Sequence, residues 1–267
     1  MTIQRWLILA AVLVLCLWVL LPIYLIVVSA FGPRDAVFAW PKSFWPVDFT
    51  TETVAFFFGA QGVLSGLLNS ILVALMTMVM AIALGAPAGY ALARFAFPGK
   101  NVYRLLVLMT RAFPIPVLAV PLTVRFIEFG LYDTLLGVAL VHTALALPFA
   151  VLITSSLFLG IPRELEEAAW TLGCTRLQAF RRVVMPLAMP GLAATAIFAF
   201  IVSWNEVFAA TILSLENRTL TAFLISVLGE SPLYFKFAGG FFLIVPALVF
   251  IFAIRKYLFS LWGIASR

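Results

Sequence analysis

The sequence predicts an all-α integral membrane protein with six transmembrane helices. Hydrophobic residues make up 64% of the 267 positions and charged residues only 10%, whereas soluble domains are about one quarter charged. Six apolar stretches are long enough to cross the roughly 30 Å hydrocarbon core of a bilayer. The excess of basic residues, 17 against 11 acidic ones, is typical of cytoplasmic loops. The sequence contains no basic tract with interleaved aromatic residues, which would have indicated nucleic-acid binding.

The spans are predicted from runs of about 20 apolar residues between polar turns. The first run is about twice as long as a signal-peptide core, which favours a retained helix, although residues 28–30 leave cleavage open as an alternative. Residues 32–66 carry charges, prolines and aromatic side chains that are typical of an external loop. Pro114, Pro116 and Pro121 predict a kink in the third span. The predicted spans are residues 6–31, 67–93, 102–126, 134–159, 186–215 and 238–258.

The distribution of Lys and Arg predicts that both chain termini lie in the cytoplasm, because cytoplasmic loops carry an excess of basic residues. With residue 5 inside, 11 of the 17 basic residues fall on the inner side. They are Arg5, Arg94, Lys100, Arg104, Arg163, Arg176, Arg181, Arg182, Arg255, Lys256 and Arg267. The predicted organisation is an N-terminal helix at 1–31, an external loop at 32–66 and a five-helix core at 67–267, with a cytoplasmic loop at 160–186.

This cytoplasmic loop begins with the pattern of a short amphipathic helix. Pro162 suits a first helical turn, and the glutamates at positions 164, 166 and 167 favour it because negative charge stabilises a helix N-terminus. Gly173 predicts a left-handed helix end. A single apolar stripe along the helix is predicted for Leu165, Ala168, Ala169 and Leu172.

A second short helix is predicted after the glycine. Thr175 and Gln178 form a capping-box pattern, and Pro186 is expected to begin the fifth span. Two interpretations of the loop are open, namely an amphipathic helix lying on lipid head groups and a docking element for another protein. The acidic start of the first helix favours docking, because the cytoplasmic leaflet carries a negative surface potential.

The loop resembles the EAA loop of permease subunits in binding-protein-dependent ABC importers. That motif consists of Glu-Ala-Ala, three residues, a glycine, nine residues and Ile-x-Leu-Pro. Here Glu167-Ala168-Ala169 is followed by Gly173 and, nine residues later, by Val-Val-Met-Pro at 183–186. The resemblance implies the type I ABC importer permease fold, with 167–173 as a coupling helix that docks on a cytoplasmic ATPase. The residues implied in this coupling are Glu166, Glu167, Ala168, Ala169, Leu172, Gly173 and Arg176.

Other stretches resemble the second permease of the carbohydrate-uptake subfamily, the maltose-permease G type. They include Tyr-Ala-Leu-Ala-Arg at 90–94, Gly-Leu-x-Asp-Thr at 130–134 and Trp-Asn-Glu at 204–206. The C-terminal residues 262–267 resemble the glycine-rich tail of the family only loosely. The resemblance implies uptake of a sugar or polyol, including glycerol-type solutes, across a bacterial or archaeal plasma (inner) membrane.

The resemblance also implies a set of partners. They are a second homologous permease, two ABC ATPase subunits and an extracytoplasmic solute-binding protein, in addition to membrane lipid. The chain has no GxxxxGK[ST] loop to hold ATP phosphates, so ATP and Mg²⁺ are expected on the ATPase and no cofactor on this chain. We expect a transport subunit rather than an enzyme. The alternative is a stand-alone ion-coupled transporter or channel, which would predict an internal inverted repeat.

Polar residues within predicted spans are candidates for the solute pathway, because they are costly in a membrane and mark functional sites. An indole can cover a sugar face, and an amide beside a carboxylate can exchange hydrogen bonds with hydroxyls; a brace against the partner permease is the alternative. His142 is interpreted as a helix–helix hydrogen bond or a pathway residue, and one histidine cannot build a metal site. The candidate pathway residues are Arg111, Ser203, Trp204, Asn205 and Glu206.

Overall fold

The computed structural model describes residues 3–41, 44–45, 48–227 and 229–261, and the regular secondary structure in these ranges is helical. The first half contains α1 (Ile3–Phe31), α2 (Glu52–Gly59), α3 (Val63–Arg94), α4 (Lys100–Met109), α5 (Ile115–Glu128) and α6 (Leu135–Leu159). The second half contains α7 (Glu164–Thr171), α8 (Arg176–Ala179), a π-helical turn (Phe180–Val184), α9 (Met185–Trp204), α10 (Phe208–Leu213), α11 (Leu220–Val227) and α12 (Leu233–Leu261).

Four helices in the described part of the chain are long and apolar enough to cross a membrane. They are Gln4–Phe31, Val63–Arg94, Leu135–Leu159 and the continuous stretch Arg176–Trp204. The bent pair Lys100–Ala112 and Ile115–Glu128 brings the number to five. In α12, an apolar stretch at Leu233–Val249 lies where the sixth span is predicted. The prediction of an all-helical membrane fold is therefore confirmed.

The third predicted span is broken rather than kinked. Its two halves differ in direction by 88°. Phe113 is extended, with φ −77° and ψ 117°, and Pro114 follows with ψ 127°. Proline has no N–H and forces the preceding residue away from helical angles, so the helix stops at this pair. Pro116 and Pro121 lie beyond the break, at the start and in the interior of α5.

The fifth span differs from its predicted bounds of 186–215 at both ends. The second helix predicted in the cytoplasmic loop begins as predicted, but the prediction that a new helix starts at Pro186 is wrong, because α8 continues through the π-helical turn into α9. At the other end, α9 stops at Trp204 and the chain restarts as α10 at Phe208. A carboxylate at position 206 accounts for that stop and is described below.

The chain divides into two compact units, the first of which comprises Met1–Leu64 and Phe223–Pro246. Phe57 of α2 is fully buried in it and stacks on Phe242 with ring centroids 5.4 Å apart. The Arg34 guanidinium lies 4.9 Å from the ring centroid of Phe56 and 5.2 Å from that of Tyr234. The segment at 32–66, predicted as a loop, thus contains an ordered helix with an aromatic core. Residues 262–267, which resemble the glycine-rich tail of the family only loosely, lie outside the described residues.

The second unit comprises Ser65–Ala222 and Ala247–Arg267. In it, α3 and α6 approach closely at glycine positions. A Cβ at Gly89 would lie 2.1 Å from Thr154 Oγ1, and one at Gly85 would lie 2.9 Å from the Ala150 Cβ. Thr154 Oγ1 also donates to the Gly85 carbonyl at 2.9 Å. Small residues allow this approach, as is usual between membrane helices, and α3 and α6 therefore pack as one body.

Candidate functional site

The first helix of the cytoplasmic loop, α7, is built and ended as its sequence predicts. Three glutamates occupy its first turn. Gly173 has φ +88° and follows the C-cap. The Gly173 N–H donates to the Trp170 carbonyl and the Cys174 N–H to the Ala169 carbonyl, both at 3.0 Å. These two bonds are the pattern of a left-handed helix end, which satisfies the last carbonyls of the helix.

The capping box predicted for α8 is also confirmed. The Gln178 N–H donates to Thr175 Oγ1 at 3.3 Å, and the Thr175 N–H donates to Gln178 Oε1 at 2.9 Å. This reciprocal pair satisfies two N–H groups that have no partner within the helix. It fixes the direction in which the chain leaves Gly173 and enters the fifth span.

The residues implied in ATPase coupling do not all face the same way. Leu172 is 85% exposed, and Gly173 and Ala168 are exposed beside it. The Glu167 side chain is 54% exposed and pairs with Arg163 at 3.3 Å. The Arg176 guanidinium lies 5.6 Å from the centroid of the Trp170 ring. An outward surface with exposed apolar side chains, formed by Glu167, Ala168, Leu172 and Gly173, therefore surrounds the turn at Gly173.

Two of the implied residues face inward instead. Ala169 is buried, and the Glu166 side chain is only 3% exposed. Glu166 forms an ion pair with Arg94, which lies in the last turn of α3. The structure therefore brings the coupling segment together with Arg94, which the sequence indicates as a cytoplasmic basic residue but not as a partner of Glu166.

Among the candidate pathway residues, Ser203 and Glu206 belong to one buried cluster with His142 of α6, which we name the histidine cluster. His142 Nδ1 lies 2.8 Å from Ser203 Oγ, and His142 Nε2 lies 3.0 Å from Glu206 Oε2. His142 is fully buried. The interpretation of His142 as a helix–helix hydrogen bond is confirmed, because the ring joins α6 to the end of α9.

Glu206 also holds the start of α10. Its Oε1 accepts from the N–H groups of Phe208 and Ala209 at 3.0 Å each, and its Oε2 accepts from the Ala210 N–H at 3.1 Å. The first N–H groups of a helix have no partner within it, and a carboxylate there is favoured by the helix dipole. The carboxylate therefore explains why α9 ends where it does.

The other candidate pathway residues are placed differently. The Trp204 indole is 2% exposed and stacks on Phe200 at 5.9 Å, so a sugar could reach it only after this packing opens. Asn205 is exposed, and its amide donates to the Ile201 carbonyl at 2.9 Å. Arg111 is exposed at the break between α4 and α5, where its guanidinium lies 4.6 Å from the centroid of the Phe149 ring. Asn205 and Arg111 are thus the accessible members of the set.

Sequence reasoning did not single out Asp133. It has φ +55°, and its Oδ1 accepts from the N–H groups of Leu215, Glu216 and Asn217 at 2.8 to 3.0 Å. One carboxylate oxygen thus fixes the turn that follows α10. The signal for it was present, since Asp133 stands in the Gly-Leu-x-Asp-Thr stretch, but its partners lie more than 80 residues away and no local pattern identifies them.

Residues 81–260 match the family described as binding-protein-dependent transport system inner membrane component. The chain belongs to this family, and the predicted membership is confirmed. It is 39% identical over 198 residues, or 72% of each chain, to the trehalose transport system permease protein SugB of Mycobacterium tuberculosis. It is 29% identical to the diacetylchitobiose uptake system permease protein DasC of Streptomyces coelicolor over 248 residues, which are 91% of this chain and 90% of the relative.

Solved structures share the fold. A bacterial ABC transporter involved in the import of the acidic polysaccharide alginate superposes with a TM-score of 0.73 and 22% identity, over 95% of this chain and 96% of the other. The MetNI methionine ABC transporter superposes with a TM-score of 0.62 and 20% identity, over 78% and 98%. The predicted type I ABC importer permease fold is therefore confirmed, and the protein is a membrane permease component of such an importer.

Replacing Glu206 with Ala should destabilise the protein. The change removes the acceptor for three backbone N–H groups and for His142, and a buried donor left without a partner costs about 1–3 kcal/mol. Thermal unfolding of the purified permease and its abundance in membranes measure the effect. Asn205→Ala is the matched control, because Asn205 is adjacent but exposed, and changes at such positions are usually within about 0.5 kcal/mol. Equal melting temperatures for the two variants would show that Glu206 does not hold the break.

Proposed function

We propose that this chain is one of two permease subunits of an ATP-driven importer that moves a sugar or polyol into the cell. A second homologous permease and two ABC ATPase subunits complete the transporter, and an extracytoplasmic binding protein delivers the solute. ATP and Mg²⁺ are held by the ATPase subunits. Transport proceeds by alternating access, in which closure of the ATPases turns the cavity between the permeases toward the binding protein.

The observation that carries this proposal is the outward surface around Gly173. Exposed leucines stand on both sides of this turn, Leu172 at 85% and Leu177 at 56%, and grouped exposed apolar residues suit a protein partner. Glu167 beside the turn forms an exposed pair with Arg163, and such surface pairs contribute about 0–1 kcal/mol. Glu167 can therefore exchange Arg163 for a basic residue on an ATPase subunit at small cost.

Replacing Gly173 with Leu should uncouple ATP hydrolysis from transport. The left-handed backbone costs about 1–2 kcal/mol for a residue with a Cβ, and the added side chain would project from the outward surface. Glu167→Lys should act in the same way by placing a repelling charge there. We expect the stimulation of ATP hydrolysis by loaded binding protein to be lost and solute uptake to fall with it, at matched abundance of permease in the membrane.

Gly99→Leu is the matched control for this experiment. Gly99 also has a positive φ, +83°, and a Cβ at Gly99, as at Gly173, would meet no atom within 4 Å. The control therefore imposes the same backbone strain away from α7. Normal coupling in the Gly173 and Glu167 variants would contradict docking at this surface. If the Gly173 and Glu167 variants are both lost from the membrane while Gly99→Leu is retained, a helix that rests on lipid head groups is favoured instead.

The solute is proposed to be a sugar. Trehalose, diacetylchitobiose and alpha-glucosides appear in the names of relatives, which supports a sugar above glycerol or another polyol. Asn205 and Arg111 are the accessible polar residues that could meet it. Uptake of labelled trehalose, diacetylchitobiose and glycerol by the intact complex tests the class. Asn205→Ala should lower uptake while basal ATP hydrolysis is unchanged, and uptake at the parental level would place the solute site elsewhere.

The orientation is proposed from the basic residues, with both termini in the cytoplasm. In that orientation the outward surface around Gly173 faces the ATPases. Cysteines that replace Arg176 and Arg218, in a chain without Cys16 and Cys174, should be labelled by a membrane-impermeant maleimide from opposite sides of the membrane. Labelling of both cysteines from the same side would mean that an even number of spans separates them, which contradicts the single span predicted there.

A further inference from the structure

The cytoplasmic end of α3 is joined to α7 by one buried and two partly buried polar side chains, which we name the cytoplasmic cluster: Glu166, Tyr90 and Arg94. The Tyr90 hydroxyl donates to Glu166 Oε2 at 2.6 Å, and Arg94 Nε donates to Glu166 Oε1. Arg94 Nη2 donates to the Ile161 carbonyl at 2.9 Å. Both oxygens of one carboxylate are thus engaged by residues one helical turn apart on α3.

This connection is shielded from solvent in part, and its three residues also line one side of an open cleft. The side chains of Arg94 and Glu166 are 10% and 3% exposed. The Tyr90 ring packs edge-on against Phe158 at 5.4 Å and Phe180 at 4.6 Å. A buried ion pair contributes little net stability, because desolvation offsets the attraction. What it does provide is a fixed geometry, since α7 cannot slide along α3 without breaking a buried pair.

The covalent route from α7 into the membrane is longer and departs from regular α-helix at two places. It passes through the left-handed turn at Gly173 and then through the π-helical turn Phe180–Val184. Single π-helical turns inside α-helices are frequent at functional sites. The cytoplasmic cluster, by contrast, joins α7 directly to α3 through side-chain hydrogen bonds.

The two consecutive glutamates of α7 face in different directions. Successive residues of an α-helix point about 100° apart, so Glu167 lies on the outward surface while Glu166 is turned to α3. We propose that Glu166, Arg94 and Tyr90 are positioning residues that transmit the movement of α7 to α3, so that ATPase motion reaches the membrane through this cluster. The inference rests on the proposed docking of α7 on an ATPase subunit.

The test uses the complete transporter in proteoliposomes, with ATPase subunits and loaded binding protein, at matched amounts of permease. Glu166→Gln keeps the shape of the side chain but removes its charge. ATP hydrolysis should continue, while solute taken up per ATP hydrolysed falls about tenfold, within the range usual for coupling between two sites. Glu164→Gln is the matched control, because Glu164 is an exposed glutamate on the same helix, and its ratio should equal that of the parent.

Tyr90→Phe is the milder variant and removes only the hydroxyl, so the ring packing is kept. It should lower the solute taken up per ATP hydrolysed by a smaller factor than Glu166→Gln does. This variant keeps the test usable if Glu166→Gln reaches the membrane poorly. If Glu166→Gln and Tyr90→Phe both take up as much solute per ATP as the parent while Gly173→Leu is uncoupled, the inference is overturned and the proposed function stands. Parental coupling in Gly173→Leu as well would instead remove the docking of α7 on which the inference rests.

Discussion

A membrane interior offers no water to a backbone group that lacks a partner, and the helix breaks of this chain follow from that constraint. After Trp204 the helix stops, and the first N–H groups of α10 are taken up by Glu206, whose carboxylate also meets His142. At the break before Pro114, Arg111 donates to the Leu145 carbonyl. Polar side chains thus lie at both helix breaks. There they form hydrogen bonds with backbone groups and side chains of the same chain.

Much of the fold could be predicted because apolar runs, caps and breakers are local properties. The capping box at Thr175 and the left-handed Gly173 needed only a few neighbouring residues, and both are confirmed. The end of the fifth span could not be predicted in the same way. Its composition remains mostly apolar through Leu213, and the helix stops because the carboxylate of Glu206 faces α10 and a histidine 64 residues away.

The candidate site was predictable as a segment but not as a set of side chains. Glu166 and Glu167 belong to one motif, and which of them faces outward depends on the side of α7 that meets α3. The same limit applies at the end of α9, where Trp204 is buried and the adjacent Asn205 is exposed. A rotation of about 100° per residue separates such neighbours, and only tertiary packing fixes its starting point.

The packing of α3 extends the proposed coupling beyond the cytoplasmic cluster. Gly85 and Gly89 let α3 lie so close to α6 that a Cβ at Gly89 would meet Thr154 at 2.1 Å. Two helices in such contact cannot slide independently, since closely packed interiors transmit strain. Helix α6 also carries His142, which binds both Ser203 and Glu206. A displacement that enters at Arg94 therefore has a continuous packed route to the break beside Asn205, where an exposed polar residue stands at the end of a membrane helix.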